Sequence, residues 1–381
     1  MSSKNSYTRN STIVLRTVCA IAFCLFSFVY LYFSQANLLA MAQHVLSKGV
    51  THYDGLVGAV LITVVLMALQ FGVGLAMKPH RYTYALTYFP SLFLLAVMSD
   101  VDYCYETGFC MGVSVWAVPV VLVLWYAVTA FLRNLLVKDG PMGLFSRTMW
   151  INMLQMAAMF FMVGMTGNSN DVLHYRLEME RCLKHGDYEA ALMVGKESQE
   201  TDSCLTMLRA FALARQGRLG DELFTYPVRC SSGSDLIPTA SGTQCLILSN
   251  DSIYKLLGAR PLKWMDAKTY VKCLRLGGQA TEAVKDYVLC GYLIDRNLDA
   301  FVSSLRGFYG INDSLPRHYR EALTLYVHSR SNPLVVYHDD VMDTDFNDMQ
   351  ALERKYTDHT ACKHAVYNQY SGTYWWYYKY E

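Results

Sequence analysis

The chain has 381 residues, 53% of them hydrophobic, and sets 33 Lys and Arg against 32 Asp and Glu for a formal charge of +1. That length holds two domains with cores of their own. It contains no basic cluster of the kind that neutralises phosphates, which sets nucleic acid aside as a partner. The even balance hides a division, because apolar runs with short polar hinges fill the first part and almost all the charge follows residue 170.

A membrane-crossing helix needs roughly 20 mostly apolar residues, because lipid offers backbone N–H and C=O groups no partner and a helix satisfies them internally. Five stretches qualify, at about residues 12–33, 55–77, 82–98, 112–136 and 148–166. The third is the shortest, and its Pro90 predicts a kink or a broken helix. The first is too long for a signal peptide, and the small triplet Ala40-Met41-Ala42 lies too far beyond it for cleavage, so it is expected to remain as a span. Gln70, Asn152 and Gln155 are among the few polar residues inside the runs, and helix-to-helix hydrogen bonding is their expected role. The mid-membrane charges of a transporter or proton pump are missing from the runs.

The hinges alternate in charge. Lys4, Arg9 and Arg16 come first, then a hinge whose one fixed cation is Lys48, then Lys78, His80 and Arg81, then Asp100, Asp102 and Glu106, then Arg133, Lys138 and Arg147. The bias of Lys and Arg toward the cytoplasm therefore predicts an inside N-terminus and, after five crossings, an outside domain beyond Gly167. By that topology His44, His52 and Asp54 share the outer face with Asp100, Asp102 and Glu106. An Asp-Val-Asp there could hold a divalent cation or serve as acid or base to a lipid-linked sugar. The plainer reading is that acids keep a short hinge outside.

From residue 168 to 381 apolar residues recur at three- and four-residue spacing, which predicts a soluble, all-α domain. Gly186, Gly217 and Gly278 each separate two helical stretches, the grammar of a tetratricopeptide-type repeat. The first two lie 31 residues apart, against a 34-residue period, so the repeats are degenerate. Stacked helix pairs would leave a curved groove, for which Arg209, Arg215 and Arg218 are candidate binding residues. An ordinary irregular helical domain is the competing reading. Residues 227–250 read as an inserted loop, with or without a short strand pair. A helix start at Asn312 to Pro316 and another at Asp343 to Asp348 follow. The aromatic tail, residues 372–381, is expected to plug the helical domain, with membrane-interface anchoring as the alternative.

No Walker loop, GxGxxG, HExxH, GxSxG or CxxC occurs, so no cofactor and no metal is implied. His338-Asp339-Asp340, with Asp343 and Asp345 nearby, carries hard oxygen donors but lacks the spacing of a calcium loop, and helix capping is its better reading. Of eleven cysteines, Cys104 with Cys110 and Cys230 with Cys245 are feasible disulfides in an oxidising compartment, while Cys204, Cys273 and Cys290 read as buried thiols.

Five segments carry a resemblance: Gln43-His44-Val45-Leu46-Ser47-Lys48-Gly49, Tyr84-Ala85-Leu86-Thr87-Tyr88-Phe89-Pro90, Trp150-Ile151-Asn152-Met153-Leu154-Gln155-Met156, Asn312 through Val336, and Gly372-Thr373-Tyr374-Trp375. They resemble a family of multi-pass membrane proteins from Bacteroides and relatives with a tetratricopeptide-like C-terminal domain. The likeness runs over essentially the whole chain. It implies a bacterial inner-membrane protein, hence a periplasmic C-terminal domain, and transfers no catalytic or binding residue. Two functions are then expected in order: a non-enzymatic envelope protein, lodged in the lipid bilayer, whose helical domain binds a protein or envelope polymer, or an enzyme acting on a lipid-linked glycan through Asp100, Asp102 and Glu106.

Overall fold

The computed structural model describes residues 2–77, 79–102, 110–112, 114–134, 146–238, 244–263, 265–311 and 314–381, with backbone alone for 2–11, 133 and 134. The chain divides into two compact units, Met1–Asn170 and Asp171–Glu381.

In the first unit α1 (Ser2–Val29) runs through a π turn at Tyr30–Ser34 into α2 (Ala36–Leu46), followed by α3 (Gly55–Met77). A 3₁₀ helix at Arg81–Tyr88 leads into α4 (Phe89–Ser99), then come α5 (Ser114–Asn134) and α6 (Arg147–Thr166). Two short strands, β1 (Val101–Asp102) and β2 (Cys110–Met111), pair antiparallel between α4 and α5. Five helical stretches are long and apolar enough to cross a membrane: Thr12–Ser34, Gly55–Met77, Arg81–Ser99, Ser114–Leu132 and Arg147–Thr166. The chain is a multi-pass membrane protein built on these five candidate spans.

The third span is the most enclosed of the five and the least hydropathic, which fits a helix covered by protein more than by lipid. Pro90 does not kink it midway. The proline sits in the first turn of α4, where its missing N–H is no loss, and the chain reaches it through the 3₁₀ segment. That segment leaves peptide groups that α-helical bonding would have used, and side chains on two neighbouring spans, α5 and α6, take them up. Asn152 Oδ1 accepts from Ala85 N at 2.8 Å, and its Nδ2 donates to the carbonyls of Arg81 and Thr148 at 2.8 Å each. Gln155 Nε2 donates to Tyr82 O at 3.1 Å, and Trp125 Nε1 to Leu86 O at 2.9 Å. Gln70 Nε2 donates to Thr87 Oγ1 at 3.0 Å, and Ser91 Oγ returns a bond to Leu66 O at 2.8 Å. Around this seam Phe23, Leu66, Tyr88, Leu92, Met156 and Val163 are buried.

In the second unit the helices are α7 (Asp171–His185), α8 (Tyr188–Met193), α9 (Ser203–Arg215), α10 (Leu219–Glu222), α11 (Asp251–Leu257) and α12 (Ala267–Leu276). They continue with α13 (Ala283–Ile294), α14 (Leu298–Phe308), α15 (Arg317–Ser329), α16 (Asp340–Arg354), α17 (His359–Tyr370) and α18 (Tyr374–Tyr380). The fold is all-α here among the described residues. The loop expected at 227–250 holds a 3₁₀ turn, Gly233–Leu236, and no strand among its described residues.

The three turn glycines all take left-handed backbone, φ +79° at Gly186, +70° at Gly217 and +65° at Gly278. After each, the next N–H reaches the carbonyl five residues back: Asp187 to Cys182, Arg218 to Leu213, Gln279 to Leu274, at 2.9–3.0 Å. This is the helix-ending pattern that a Cβ disfavours. A fourth copy ends α13, where Arg296 holds φ +53° and Asn297 N bonds Tyr292 O at 2.9 Å. The Asp187 side chain caps Ala190 N and that of Asn297 caps Ala300 N, both at 3.0 Å, so Gly-Asp-x-x-Ala and Arg-Asn-x-x-Ala are the same turn. Arg296 is there because its guanidinium lies over the Tyr377 ring and donates to Tyr377 O.

Two buried carboxylates hold the irregular parts. Glu180 on α7 pairs with Arg176 at 3.3 Å and accepts from the consecutive N–H groups of Leu246, Ile247 and Leu248 at 2.7, 2.5 and 2.9 Å, while Arg176 donates to Gln244 O. Burial pushes the Glu180 carboxyl up, opposed by Arg176 and the three amides. Glu321 on α15 accepts from Arg317, from His318 Nδ1 and from Tyr374 N at 2.7–2.9 Å, and its own carbonyl accepts from Trp375 Nε1. Phe224 N donates to His318 Nε2, so Nδ1 carries the proton given to Glu321. The aromatic tail is therefore a helix, with Tyr374, Trp375, Trp376 and Tyr377 buried in the core.

Two outcomes follow. Asn152→Leu, which strips two bonds from the 3₁₀ segment, lowers unfolding stability in detergent by about 1–2 kcal/mol, whereas Leu154→Ala on the exposed face is near neutral; equal stability of Asn152→Leu and the parent would refute the seam. Glu180→Ala, which removes the buried carboxylate shared by Arg176 and the amides of Leu246, Ile247 and Leu248, destabilises by about 3 kcal/mol, and hydrogen exchange rises first at residues 244–250. Uniform exchange across the unit would show that Glu180 does not hold that loop.

Candidate functional site

Among the described residues, the hinge residues expected to face outward do not converge into a reactive centre. Asp100 is occupied by structure: its Oδ2 accepts from Ser114 N at 3.1 Å at the start of α5, and its carbonyl accepts from Gly112 N at 2.7 Å. A Cβ on Gly112 would fall 2.1 Å from that carboxyl, so glycine is what lets the two segments meet. Asp54 likewise caps α3 through Val57 N at 2.9 Å. Asp102 is exposed on β1 opposite Cys110. His44 lies in the last turn of α2, its carbonyl accepting from Gly49 N, and His52 is exposed in the following loop. Glu106 and Cys104 lie outside the described residues. No group of three His, Cys, Asp or Glu forms a metal-binding set among the described residues.

The three arginines expected in one groove face three ways. Arg209 is 1% exposed, donates to Thr201 Oγ1, Gly195 O and Pro227 O at 3.3–3.4 Å, and lies over the Tyr226 ring. Burial lowers its pKa to about 10, and it is a core residue, because the irregular segments beside α9 offer carbonyls that need donors. Arg215 is exposed and stacks on Phe211. Arg218 pairs with Glu222 at 2.7 Å and Glu189 at 2.9 Å. Cys230 and Cys245 stand as separate thiols, burial pushing Cys230 up to about 12 and Cys245 well above the usual range, with Cys204 an electrostatic neighbour of both.

The acidic run at 338–345 caps a helix. Asp339 accepts from Val341 N and Met342 N at 3.1 Å, from Arg320 at 3.2 Å and from Tyr337 Oη at 3.1 Å, and Asp343 faces His328 and His338.

A different place has the form of a site. The second unit contains a cavity of about 580 Å³ lined by α12, α13 and the 3₁₀ turn at Gly233–Leu236. Lys268, Val271, Lys272, Arg275 and Leu276 present one face of α12, repeating at helical spacing, and Tyr287, Val288, Gly291, Tyr292 and Asp295 do the same from α13. The floor is made by two glycines: a Cβ on Gly233 would sit 2.1 Å from the carbonyl oxygen of Gly291, so only glycine lets the turn lie on the helix. Asp295 locks that turn by accepting from Ser232 Oγ at 3.0 Å and Gly233 N at 2.7 Å. The walls are mainly apolar, and Leu276 stands 80% exposed at the edge. Tyr287, in the wall, is buried with a hydroxyl that has no hydrogen-bond partner. The sequence carried the signal for this site in the strong amphipathic spacing of residues 267–276, but that spacing resembles any core helix.

Residues 109–258 and 276–381 match the model of a family described as a family of unknown function, DUF6057. The chain belongs to the DUF6057 family. The DUF6057 match includes the 3₁₀ turn and α13, while most of α12, with Lys268, Lys272 and Arg275, lies between the two matched stretches. No curated protein and no solved structure matches the chain.

Burial alone would raise the Asp339 carboxyl, but the amides of Met342 and Val341, Tyr337 and Arg320 outweigh it and hold it below the usual carboxylate range. A carboxyl with a depressed folded pKa stabilises above its unfolded value, about 3.9, and loses that contribution as pH falls through the folded one. Asp339→Ala is thus less stable by about 1 kcal/mol at neutral pH, and part of the acid-induced loss below pH 4 disappears in melts across pH. Parallel pH profiles for parent and variant would contradict this.

Proposed function

We propose that the protein is a membrane-anchored binding protein: the spans fix it in the bilayer, and the helical second unit, outside the cytoplasm, presents the cavity between α12 and α13 to a ligand. The cavity itself carries the reading. It combines a preformed apolar recess with a few polar groups at its edge, the form that ligand sites usually take. Hinge charges support the orientation, with Lys and Arg concentrated in alternate hinges, and the resemblance to membrane proteins of Bacteroides and relatives supports a bacterial inner membrane with a periplasmic domain. The repeated left-handed turns support a degenerate tetratricopeptide-like arrangement. An enzyme acting on a lipid-linked glycan through Asp100, Asp102 and Glu106 would have to surrender the Asp100 cap on α5, so the binding reading is preferred.

A photoreactive amino acid placed at Leu276 or Val271, at the mouth and wall, is expected to yield a ligand or partner adduct in living cells, seen as a mass shift on the purified chain. The same group at exposed Leu334, away from the cavity, is expected to yield none. Adducts no more frequent at 271 and 276 than at 334 would overturn the binding role.

A further inference from the structure

The charges around the cavity are unequal. Lys268, Lys272 and Arg275 lie along its edge against the one carboxylate of Asp295. Asp295 is already engaged by Ser232 and Gly233, and Lys268 is 3.9 Å from it. Lys272 and Arg275 have no carboxylate partner among the described residues, and Arg275 rests its guanidinium over the Phe308 ring at 4.9 Å, which holds it near the mouth. Inside, Ile237, Val271, Val288 and the rings of Tyr287 and Tyr292 give an apolar lining. Cations at the mouth of an apolar recess call for a ligand that is negative at one end and hydrocarbon at the other, because the first end gains charge-assisted bonds and the second leaves water.

We infer that this cavity takes a single-chain anionic amphiphile, an acyl tail ending in a carboxylate or a phosphate, with the tail along the α13 wall and the headgroup at Lys272 and Arg275. This rests on the binding role proposed above and names its ligand class. The volume falls within the roughly 300–1,000 Å³ of small-molecule sites, and its two-helix walls suit a chain molecule better than a second helix. Supply is also favourable, since covalent attachment to the spans keeps the domain close to a bilayer, where such amphiphiles are concentrated.

The test uses the full chain in phosphatidylcholine nanodiscs and a photoreactive diazirine analogue of palmitate, with adducts mapped by peptide mass spectrometry. Adducts are expected on residues 267–295 in addition to any on the spans. Unlabelled palmitate or palmitoyl lysophosphatidate is expected to compete, the better competitor naming carboxylate or phosphate as the headgroup. The Lys272→Glu, Arg275→Glu double variant, altered at exposed positions, should melt like the parent yet lose labelling of 267–295 by tenfold or more. Val288→Trp, which fills the recess, should lose it too. Labelling confined to the spans, equal competition by neutral hexadecanol, better competition by an acidic peptide, or undiminished labelling of a well-folded double variant would each overturn the inference. If the palmitate probe fails while the group at Leu276 still captures a partner, the ligand class is wrong and the binding role stands; if both fail, both fall.

Discussion

Wherever a helix breaks off, peptide N–H and C=O groups lose their partners, and in a place shut off from water that loss must be made good by something else. This chain makes it good with side chains sent in from other elements. Asn152, Gln155 and Trp125 serve the 3₁₀ stretch of the third span, Glu180 and Arg176 serve the loop at 244–248, and Glu321 receives the first N–H of α18. Each such side chain is costly to bury alone and inexpensive to bury once the irregular segment has closed on it. Irregular backbone and buried polar residue are thus stable only together, which fixes the path of the chain where helical propensity does not.

The same logic explains how the cavity is kept open. Two helices packed directly would fill the space between them with side chains. Here a 3₁₀ turn is wedged against α13 at Gly291, and Asp295 ties it by accepting from its N-terminal end. The wedge leaves the faces of α12 and α13 apart, so the apolar residues that would otherwise interlock are left lining a recess. Glycine is needed on the turn for close approach and an acid on the helix for grip, and neither residue alone would signal a site.

Much of the architecture was legible from the residues. Span positions follow from apolar length, and Gly186, Gly217 and Gly278 mark helix ends because few other residues accept that backbone. The fourth turn was not legible, since Arg296 replaces the glycine and its reason for being there, Tyr377, lies eighty-one residues further on. The site was harder still. Asp100 and Arg209 drew attention as charged residues, yet one caps a helix and the other satisfies buried carbonyls, because a charge read in isolation does not reveal whether it faces solvent or backbone. Lys272 and Arg275 stand on an exposed face of α12, and nothing in their own stretch of sequence marks the wall of α13 opposite them.

The seat of α18 bears on the timing of folding. Its first amide closes the Glu321 network, and the hydroxyls of Tyr374 and Tyr377 meet the carbonyls of Leu293 and Ile294, so residues far apart in sequence complete one another. A chain still being synthesised cannot finish this core before residues 374–377 have left the ribosome. Until then Glu321 lacks two of the donors that cover it, Tyr374 N on its carboxylate and Trp375 Nε1 on its carbonyl.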